Sequence, residues 1–306
     1  MNGTVKTANQ YRIMDTTLRL KEVSGMHSRK WKRLGEERIA RLNEGQAPKV
    51  LAVGPRMVGG LSGRYISDTS YSGKPGKVFE VTTKKDGTLD EVGKCSVYYA
   101  VAEKHLNIRK VDVWSNGGDT FRNTVASVKE AAGIYAADLE PREFNASGGK
   151  ITEVGNVDAA VVSCSDSRVQ VHDMYDNVTV VSNAGNILST TAIEVLTEAV
   201  EKGVPILMIL GHTECGAVDA AVSRNTEPEL SKIVSVVGNN LITERFREYL
   251  GPEIVNALVS TSILRGEHTP EYASPALRGL QEMIRSEGVE VMATFFDLAT
   301  GEVKEL

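Results

Sequence analysis

Three side chains of the metal-binding type stand in two short stretches in the second half of the 306-residue chain. Cys164 follows the apolar run 157–162, and His212 and Cys215 follow the apolar run 206–210. Both runs have the length and composition of buried strands. The carboxyl ends of parallel strands lie at one edge of a sheet, where strands far apart in sequence deliver side chains to one point. We therefore predict that Cys164, His212 and Cys215 form one site.

The donor set of this site favours zinc. Two thiolates and one imidazole suit Zn²⁺, and three protein ligands leave one tetrahedral position open, as in catalytic zinc sites. The alternative is that two buried cysteines and a core histidine only pack together. The His-x-x-Cys spacing and the flanking Gly211 and Gly216 favour the metal site. We expect one zinc ion per chain as the cofactor.

Asp166 and Arg168 lie two and four residues beyond Cys164 and share its surroundings. A carboxylate beside zinc can take the fourth position and close the site. It can instead pair with a cation and accept a hydrogen bond from the reacting water. The planar guanidinium of Arg168 suits a two-point grip on a carboxylate and stays charged, which favours the second arrangement. The alternative is an Asp–Arg pair that only fixes a loop.

Apolar periodicity predicts the elements that must position these groups. In the first half it indicates helices over 28–43, 89–106 and 120–139 and strands over 49–53, 78–82 and 110–114. In the second half it indicates strands over 157–162, 178–181, 206–210 and 289–296, a helix over 190–202, and further helices from 216 onward. This alternation predicts an α/β fold with a parallel β-sheet core flanked by helices.

Turn-forming residues crowd the stretch 140–156, which we interpret as a linker. The chain then divides into an N-terminal arm (1–27), an α/β half (28–139), this linker, and a zinc-binding half (157–306). The two halves follow the same strand–helix–strand order, which indicates two repeated α/β halves. The alternative for the first half is an unrelated accessory α/β domain.

The first half lacks a metal-binding set if the repeat is real. In the alignment of the halves, the positions of Cys164, His212 and Cys215 correspond to residues near Val53, Asn116 and Asp119. None of these three offers a thiolate or an imidazole. We therefore expect the first half to bind no zinc.

Composition excludes several classes of protein. With 35 basic and 40 acidic residues and a formal charge of -5, we expect no nucleic-acid partner, because polyanion binding depends on clustered Lys and Arg. The start of the chain has no apolar signal-peptide core, and no run of 18 apolar residues occurs, so we expect no membrane association and a cytoplasmic location. Three cysteines suit a reducing compartment, and the helical pattern around Cys95 indicates a buried thiol.

Three motifs together resemble the β-class carbonic anhydrases. They are Cys-Ser-Asp-Ser-Arg at 164–168, Asn-Ala-Gly-Asn at 183–186 and Gly-His-Thr-Glu-Cys-Gly at 211–216. The similarity runs from about 157 to 303 and includes the closing turn at 296–301. One departure is Ser182, where the family usually has an arginine before Asn-Ala-Gly-Asn.

The resemblance implies reversible, zinc-dependent hydration of carbon dioxide to bicarbonate and a proton, a lyase (carbonate dehydratase) activity. It implies zinc on Cys164, His212 and Cys215, with Asp166 and Arg168 as the orienting pair. It also implies that the Gly216 amide lies beside the substrate pocket, and that the protein is a homodimer or an internal pseudo-dimer.

Two alternative functions stay open at this point. One is a hydrolase for carbonyl sulfide or carbon disulfide that uses the same zinc site on substrates of the same linear shape. The other is a non-catalytic zinc protein, in which Asp166 permanently fills the fourth position and the first half serves as a binding or assembly surface.

Overall fold

The structure is a computed structural model that describes residues 49–58, 78–103, 106, 108–115, 117–145, 157–166, 168–169, 171, 174–175, 177–242, 250–270 and 273–306. Its strands are β1 Lys49–Gly54, β2 Met57–Val58, β3 Val78–Thr82, β4 Ile108–Ser115, β5 Glu140–Asn145, β6 Ala159–Cys164, β7 Val178–Asn183, β8 Ile206–His212, β9 Glu290–Phe296 and β10 Val303–Glu305. Its helices are α1 Glu91–Ala102, α2 Gly118–Ala132, α3 Thr190–Glu201, α4 Gly216–Val222, α5 Ser231–Leu241, α6 Pro252–Leu264 and α7 Pro275–Glu287.

The strands of each half form their own sheet, except that β2 of the first half joins the sheet of the second. The first sheet has the order β3-β1-β4-β5 and is parallel throughout. The second has the order β10-β9-β8-β6-β7-β2, in which β7, β6, β8 and β9 are parallel and the two edge strands are antiparallel. The parallel core predicted from the sequence is confirmed. The order β3-β1-β4-β5 also repeats as β7-β6-β8-β9, so both halves share one topology.

The stretch predicted as a linker begins with a strand. Residues 140–145 form β5, which pairs with β4 in parallel from Lys110 to Ser115. Its sequence, Glu-Pro-Arg-Glu-Phe-Asn, has no apolar run, and Pro141 cannot donate to a ladder. A strand of this kind is tolerated because β5 lies at the edge of its sheet. The remainder of the linker, 146–156, lies outside the described residues.

Two predicted helices are shorter than expected. The helix predicted over 89–106 spans Glu91–Ala102, because Asp90 caps its N-terminus and accepts a hydrogen bond from the Gly93 amide. The helix predicted over 120–139 spans Gly118–Ala132, and its C-cap is Gly133, whose φ of 55° is left-handed. A 3-10 helix, Gly133–Asp138, follows it. The predicted arm at 1–27 and helix at 28–43 lie outside the described residues.

The second sheet is buried on both faces, as its nearly continuous apolar strands require. Every residue of β6 and β8 is buried. One face packs against α3, α6 and α7, and the opposite face packs against Val169, Met174 and Tyr175. The carboxyl ends of β6 and β8 are therefore held rigidly at one edge of the sheet.

The two halves meet along β3, an edge strand of the first sheet, and β7, the outermost parallel strand of the second. The Ser182 amide donates a 2.9 Å hydrogen bond to Thr82 Oγ1, and both residues are buried. Ser182 is the position at which the sequence departs from the β-class pattern.

A buried apolar cluster also joins the two halves. The first half contributes Val92 and Cys95 from α1, and the second half contributes Cys164, Ile187 and Cys215 among others. Cys95 is a buried free thiol, as its helical pattern predicts. The predicted metal-binding cysteines therefore lie where the two halves pack together.

Among the described residues, no helix combines the length and the apolar character needed to cross a membrane.

Candidate metal centre

The structure brings the three predicted ligands together at the carboxyl ends of β6 and β8. Cys164 is the last residue of β6, His212 is the last of β8, and Cys215 precedes α4. Their ligand atoms all lie within 4.8 Å of one another, and all three side chains are buried. Among the described residues, these three form the one group of at least three His, Cys, Asp or Glu side chains that lie close enough together to hold a metal ion.

The geometry of this cluster fits zinc. Bonds of about 2.3 Å from a tetrahedral zinc to two thiolates place the sulfurs roughly 3.8 Å apart, and the Sγ atoms of Cys164 and Cys215 are 3.9 Å apart. His212 Nδ1 lies 2.8 Å from the Thr213 carbonyl oxygen, so the tautomer that donates there has a free lone pair on Nε2. This buried Nε2 has no hydrogen-bond partner among the described residues, as expected for a ligand atom.

The charges of the two cysteines also suit a cation. The hydrogen bond from Cys215 holds the pKa of Cys164 well below its usual range, whereas the Cys164 sulfur raises the pKa of Cys215 well above it. Two thiolates this close repel each other, so one proton remains between them. A divalent cation in place of that proton would stabilise both thiolates at once.

Backbone groups orient each ligand. The Gly185 amide donates to Cys164 Sγ at 3.4 Å, and the Val218 amide donates to Cys215. The loop after β8 is tied to the closing turn after β9, because the Leu298 amide donates to Thr213 Oγ1 at 2.9 Å. This turn, part of the motif at 296–301, therefore positions the carbonyl group that orients His212.

Asp166 and Arg168 form the predicted ion pair. Arg168 Nη2 lies 2.7 Å from Asp166 Oδ2, and Arg168 Nε lies 3.1 and 3.2 Å from the two carboxylate oxygens. Burial would raise the pKa of Asp166, but the charge of Arg168 lowers it to about 2. The carboxylate is therefore ionised at neutral pH, and it is not part of the three-residue ligand cluster.

Arg168 also fixes the loop that carries Cys215. Its Nη2 donates to the Glu214 carbonyl oxygen at 2.7 Å, and its Nη1 contacts Glu214 Oε2 at 2.9 Å. Glu214 has a φ of 55°, a left-handed conformation that is unfavourable for a residue with a side chain. The guanidinium group thus links the Asp166 carboxylate to the strained residue that precedes Cys215.

Tyr99 is a site residue that the sequence analysis missed. It lies on α1 of the first half, and its hydroxyl group stands directly over Gly216, where a Cβ atom would collide with Tyr99 Oη. Burial raises the pKa of Tyr99, and the charges of Asp166, Cys164 and Cys215 add to this effect. A side chain at 216 would force Tyr99 to move, because this residue of the other half closely approaches the Gly216 backbone.

In the first half, the corresponding strand ends carry no ligand set among the described residues. β1 ends in Gly54, where β6 ends in Cys164, and β4 ends in Ser115, where β8 ends in His212. Asn116 lies outside the described residues, and Asp119 is an exposed residue that pairs with Arg122 on the same helix.

Comparison with protein families gives one match to this part of the chain. Residues 159–303, just under half of the chain, match the family described as carbonic anhydrase. A carbonic anhydrase of Mycolicibacterium smegmatis is 31% identical over 102 residues, which are 32% of this chain and 50% of that protein. Carbonic anhydrase 2 of Mycobacterium tuberculosis is 34% identical over 70 residues, 21% of this chain and 34% of that protein. The chain thus spans half or less of these relatives. The predicted resemblance is confirmed over this segment.

Solved structures give matches of similar extent. A tetrameric β-carbonic anhydrase from Sordaria macrospora matches with 25% identity and a TM-score of 0.39, over 52% of this chain and 83% of that chain. A β-carbonic anhydrase from Aspergillus fumigatus matches with 20% identity and a TM-score of 0.38, over 49% of this chain and 76% of that chain.

Proposed function

We propose that this chain, whose residues 159–303 match the carbonic anhydrase family, catalyses the zinc-dependent reversible hydration of carbon dioxide to bicarbonate and a proton. The observation that carries the proposal is the cluster of two thiolates and one imidazole at the ends of β6 and β8, with three protein ligands and no carboxylate among them. Three ligands are typical of a catalytic zinc site, because the fourth position is left for the reacting water.

Cys164, His212 and Cys215 would hold one zinc ion. Zinc, when bound, lowers the pKa of a water molecule from about 15.7 to roughly 7, a value established for carbonic anhydrases with three histidine ligands. Two thiolates cancel the charge of the ion, so we expect a higher working pH in this chain. The rate should therefore rise between pH 7 and pH 9.

Asp166 would orient the attacking water. Its carboxylate is ionised and held on two sides by Arg168, so it can accept a hydrogen bond without turning toward the metal. The water then presents a lone pair to the carbon of the substrate, because its O–H bond is directed at a fixed acceptor. The ion pair also argues against the closed, non-catalytic site, in which Asp166 would be a ligand.

The substrate would lie between the ligands and Gly216. Gly216 is the first residue of α4, and N–H groups in the first turn of a helix have no acceptor within it. Its amide can therefore donate to a substrate oxygen. The side chains packed in the same buried cluster as Cys164 and Cys215 are apolar, among them Ile187 and Val218 from the second half and Val92 from the first, which suits an uncharged linear molecule.

The first half would act as the second subunit of a fused pseudo-dimer. Tyr99 lies on α1 and Glu198 lies on α3, and these two helices occupy the same place in their halves, after the second long strand. Each residue is the ninth of its helix. Tyr99 reaches over Gly216 in the second half, and Glu198 reaches Arg56 beyond β1 in the first. These contacts come from corresponding helices, as at a two-fold interface, although the positions that they reach, Gly216 after β8 and Arg56 after β1, do not correspond. They favour this arrangement over an unrelated accessory domain.

Parallel assays of one zinc-loaded sample test the proposed reaction. We expect carbon dioxide hydration to exceed sulfide release from carbonyl sulfide or carbon disulfide, and His212→Ala to abolish it. Dominant sulfide release would assign the hydrolase activity instead. Zinc-loaded protein that is inactive on all three substrates would refute a catalytic role.

A further inference from the structure

A buried serine of the first half is hydrogen-bonded to the metal-site loop of the second half. Ser96 lies on α1 with no solvent exposure. Its hydroxyl group donates to the Val92 carbonyl oxygen at 2.7 Å and accepts a 2.9 Å hydrogen bond from the Ala184 amide. With its one proton directed at Val92, the hydroxyl oxygen is free to be the acceptor that Ala184 needs.

Ala184 opens the short turn that holds the first ligand. The turn spans Ala184–Asn186 and is kinked at its middle residue Gly185, whose amide donates to Cys164 Sγ. Gly185 has a φ of 76°, and a Cβ atom there would lie 3.1 Å from Ala217 Cβ. A residue other than glycine would therefore be strained at this position, and its side chain would press against Ala217.

The turn is clamped from both halves of the molecule. From the second half, Asn256 Nδ2 on α6 donates to the Gly185 carbonyl oxygen at 2.9 Å, and Asn256 is fully buried. The Asn183 side chain closes the turn by bonding both the amide and the carbonyl group of Ile187. From the first half, Ser96 holds the Ala184 amide. Asn256 and Ser96 thus fix two consecutive residues of the turn.

We propose that Ser96 is a positioning residue for the zinc site, acting on the Cys164 thiolate through the Ala184–Gly185 peptide. Without the serine oxygen, the buried Ala184 amide has no acceptor and the turn must shift to find one. A shift at Ala184 moves the neighbouring Gly185 amide, which sets the direction and charge stabilisation of the Cys164 sulfur. The proposal rests on the zinc site proposed above and makes that site depend on the first half.

Metal affinity and cobalt spectra test this role without reference to turnover. We expect Ser96→Ala to weaken zinc binding by about 10- to 100-fold in competition with a chromophoric chelator, as for other outer-shell groups. Its cobalt(II) form should show altered sulfur-to-cobalt charge-transfer bands. Ser96→Thr keeps the hydroxyl group and should restore both readouts.

Thr124→Val is the matched control. Thr124 is also fully buried on a helix of the first half. Its hydroxyl oxygen lies 2.9 Å from the carbonyl oxygens of Gly87 and Thr120, and none of these three residues belongs to the metal site. This variant should lose thermal stability, as Ser96→Ala does, but should bind zinc as the wild type does. Equal zinc affinity in Ser96→Ala and wild type, or equal weakening in both variants, would overturn the proposal.

If Ser96→Ala does not fold, hydrogen exchange of the wild type tests the proposed hydrogen bond instead. The Ala184 amide should be strongly protected in the zinc-loaded protein, and rapid exchange there would contradict the proposed hydrogen bond. Failure of the proposed function and failure of this inference give different results. If the wild type binds no zinc, the proposed function fails; if it binds zinc and Ser96 has no influence, only this inference fails.

Discussion

Each of the three proposed zinc ligands is oriented by a group outside the ligand set. A glycine amide faces Cys164, the Val218 amide faces Cys215, and the Thr213 carbonyl group orients His212. Substitution of such a group changes how the ligands act and leaves the ligands themselves in place. The residue for which this can be tested most clearly is Arg168, because it contacts both Asp166 and the loop before Cys215.

Arg168→Ala should abolish most of the hydration activity and leave zinc content intact. Without the guanidinium group, burial raises the pKa of Asp166, and the carboxylate is free to turn toward the fourth zinc position. We expect a fall in rate of about 100-fold, measured with zinc quantified in the same sample.

Glu214→Gln serves as the control for this change. It weakens only the exposed contact of Arg168, since the Glu214 side chain is 66% exposed, and it should keep nearly full activity. Full activity in Arg168→Ala would remove the ion pair from the mechanism.

The ligand residues could be predicted from sequence, but Tyr99 could not. Cys164, His212 and Cys215 each follow a recognisable buried strand, so their meeting point follows from the rule for parallel sheets. Tyr99 lies within the apolar pattern of α1, and its contact with Gly216 depends on how the two halves dock. Spacing along the chain carries no signal for that docking.

Among the elements, α1 and α3 are coupled at their N-termini by one carboxylate. Asp90 Oδ1 accepts from the Gly93 amide of α1 and Oδ2 accepts from the Thr191 amide of α3, both at 2.7 Å. Asp90 is buried, and the two helices belong to different halves. One side chain therefore fixes the start of the helix that carries Tyr99 and Ser96 relative to the second half.

Asp90→Ala should destabilise the protein more than loss of an ordinary cap does. Two buried amides lose their acceptor, so we expect the free energy of unfolding to fall by about 2 to 3 kcal/mol. Ser274→Ala, which removes the single cap of α7 at Leu277, should lower it by about 1 kcal/mol. Urea denaturation measures both, and an equal effect of the two variants would show that Asp90 does not hold two helices.

Among the strands that sequence reasoning missed, β5 is the longest, and the reason is physical. An edge strand with one ladder partner does not need an apolar run, so Glu140 and Pro141 resemble a linker by composition. The central strands β6 and β8 are buried on both faces and therefore carry a continuous apolar signal. Their predicted positions agree with the structure to within a few residues.

At the scale of the whole molecule, side chains at corresponding positions of the two halves differ in chemistry. Arg56 stands two residues beyond β1, as Asp166 stands two residues beyond β6. Arg56 pairs with Glu198 of α3, and Glu198 also pairs with Lys85 at 2.6 Å. The side chains of Arg56 and Glu198 are only 14% and 13% exposed. An ion pair thus joins the two halves near the end of β1, where the described residues include no set of metal ligands.

Glu198→Ala should weaken the docking of the halves by leaving Arg56 buried without its partner. We expect a loss of about 2 to 4 kcal/mol in the free energy of unfolding at neutral pH. Burial would raise the pKa of Glu198, but its hydrogen bond with Lys85 and the charge of Arg56 lower it. The stabilisation by ionised Glu198 is therefore complete above the usual pKa of a glutamate and is lost as pH falls through the lowered pKa of Glu198 in the folded protein. The difference in the free energy of unfolding between Glu198→Ala and wild type should therefore narrow in acid.

Lys85→Ala is the control at this scale. The Lys85 side chain is 73% exposed, and its removal should change the free energy of unfolding by less than about 1 kcal/mol. If Glu198→Ala were no more destabilising than Lys85→Ala, the buried pair would not hold the halves together.

The most direct test of the account is the rate of carbon dioxide hydration at pH 8.5, measured on the full chain together with its zinc content. The account predicts one zinc ion per chain and a rate that rises in proportion to zinc occupancy. Two zinc ions per chain would contradict the assignment of a single metal centre. Fully loaded protein with no hydration above the uncatalysed rate would contradict the proposed function.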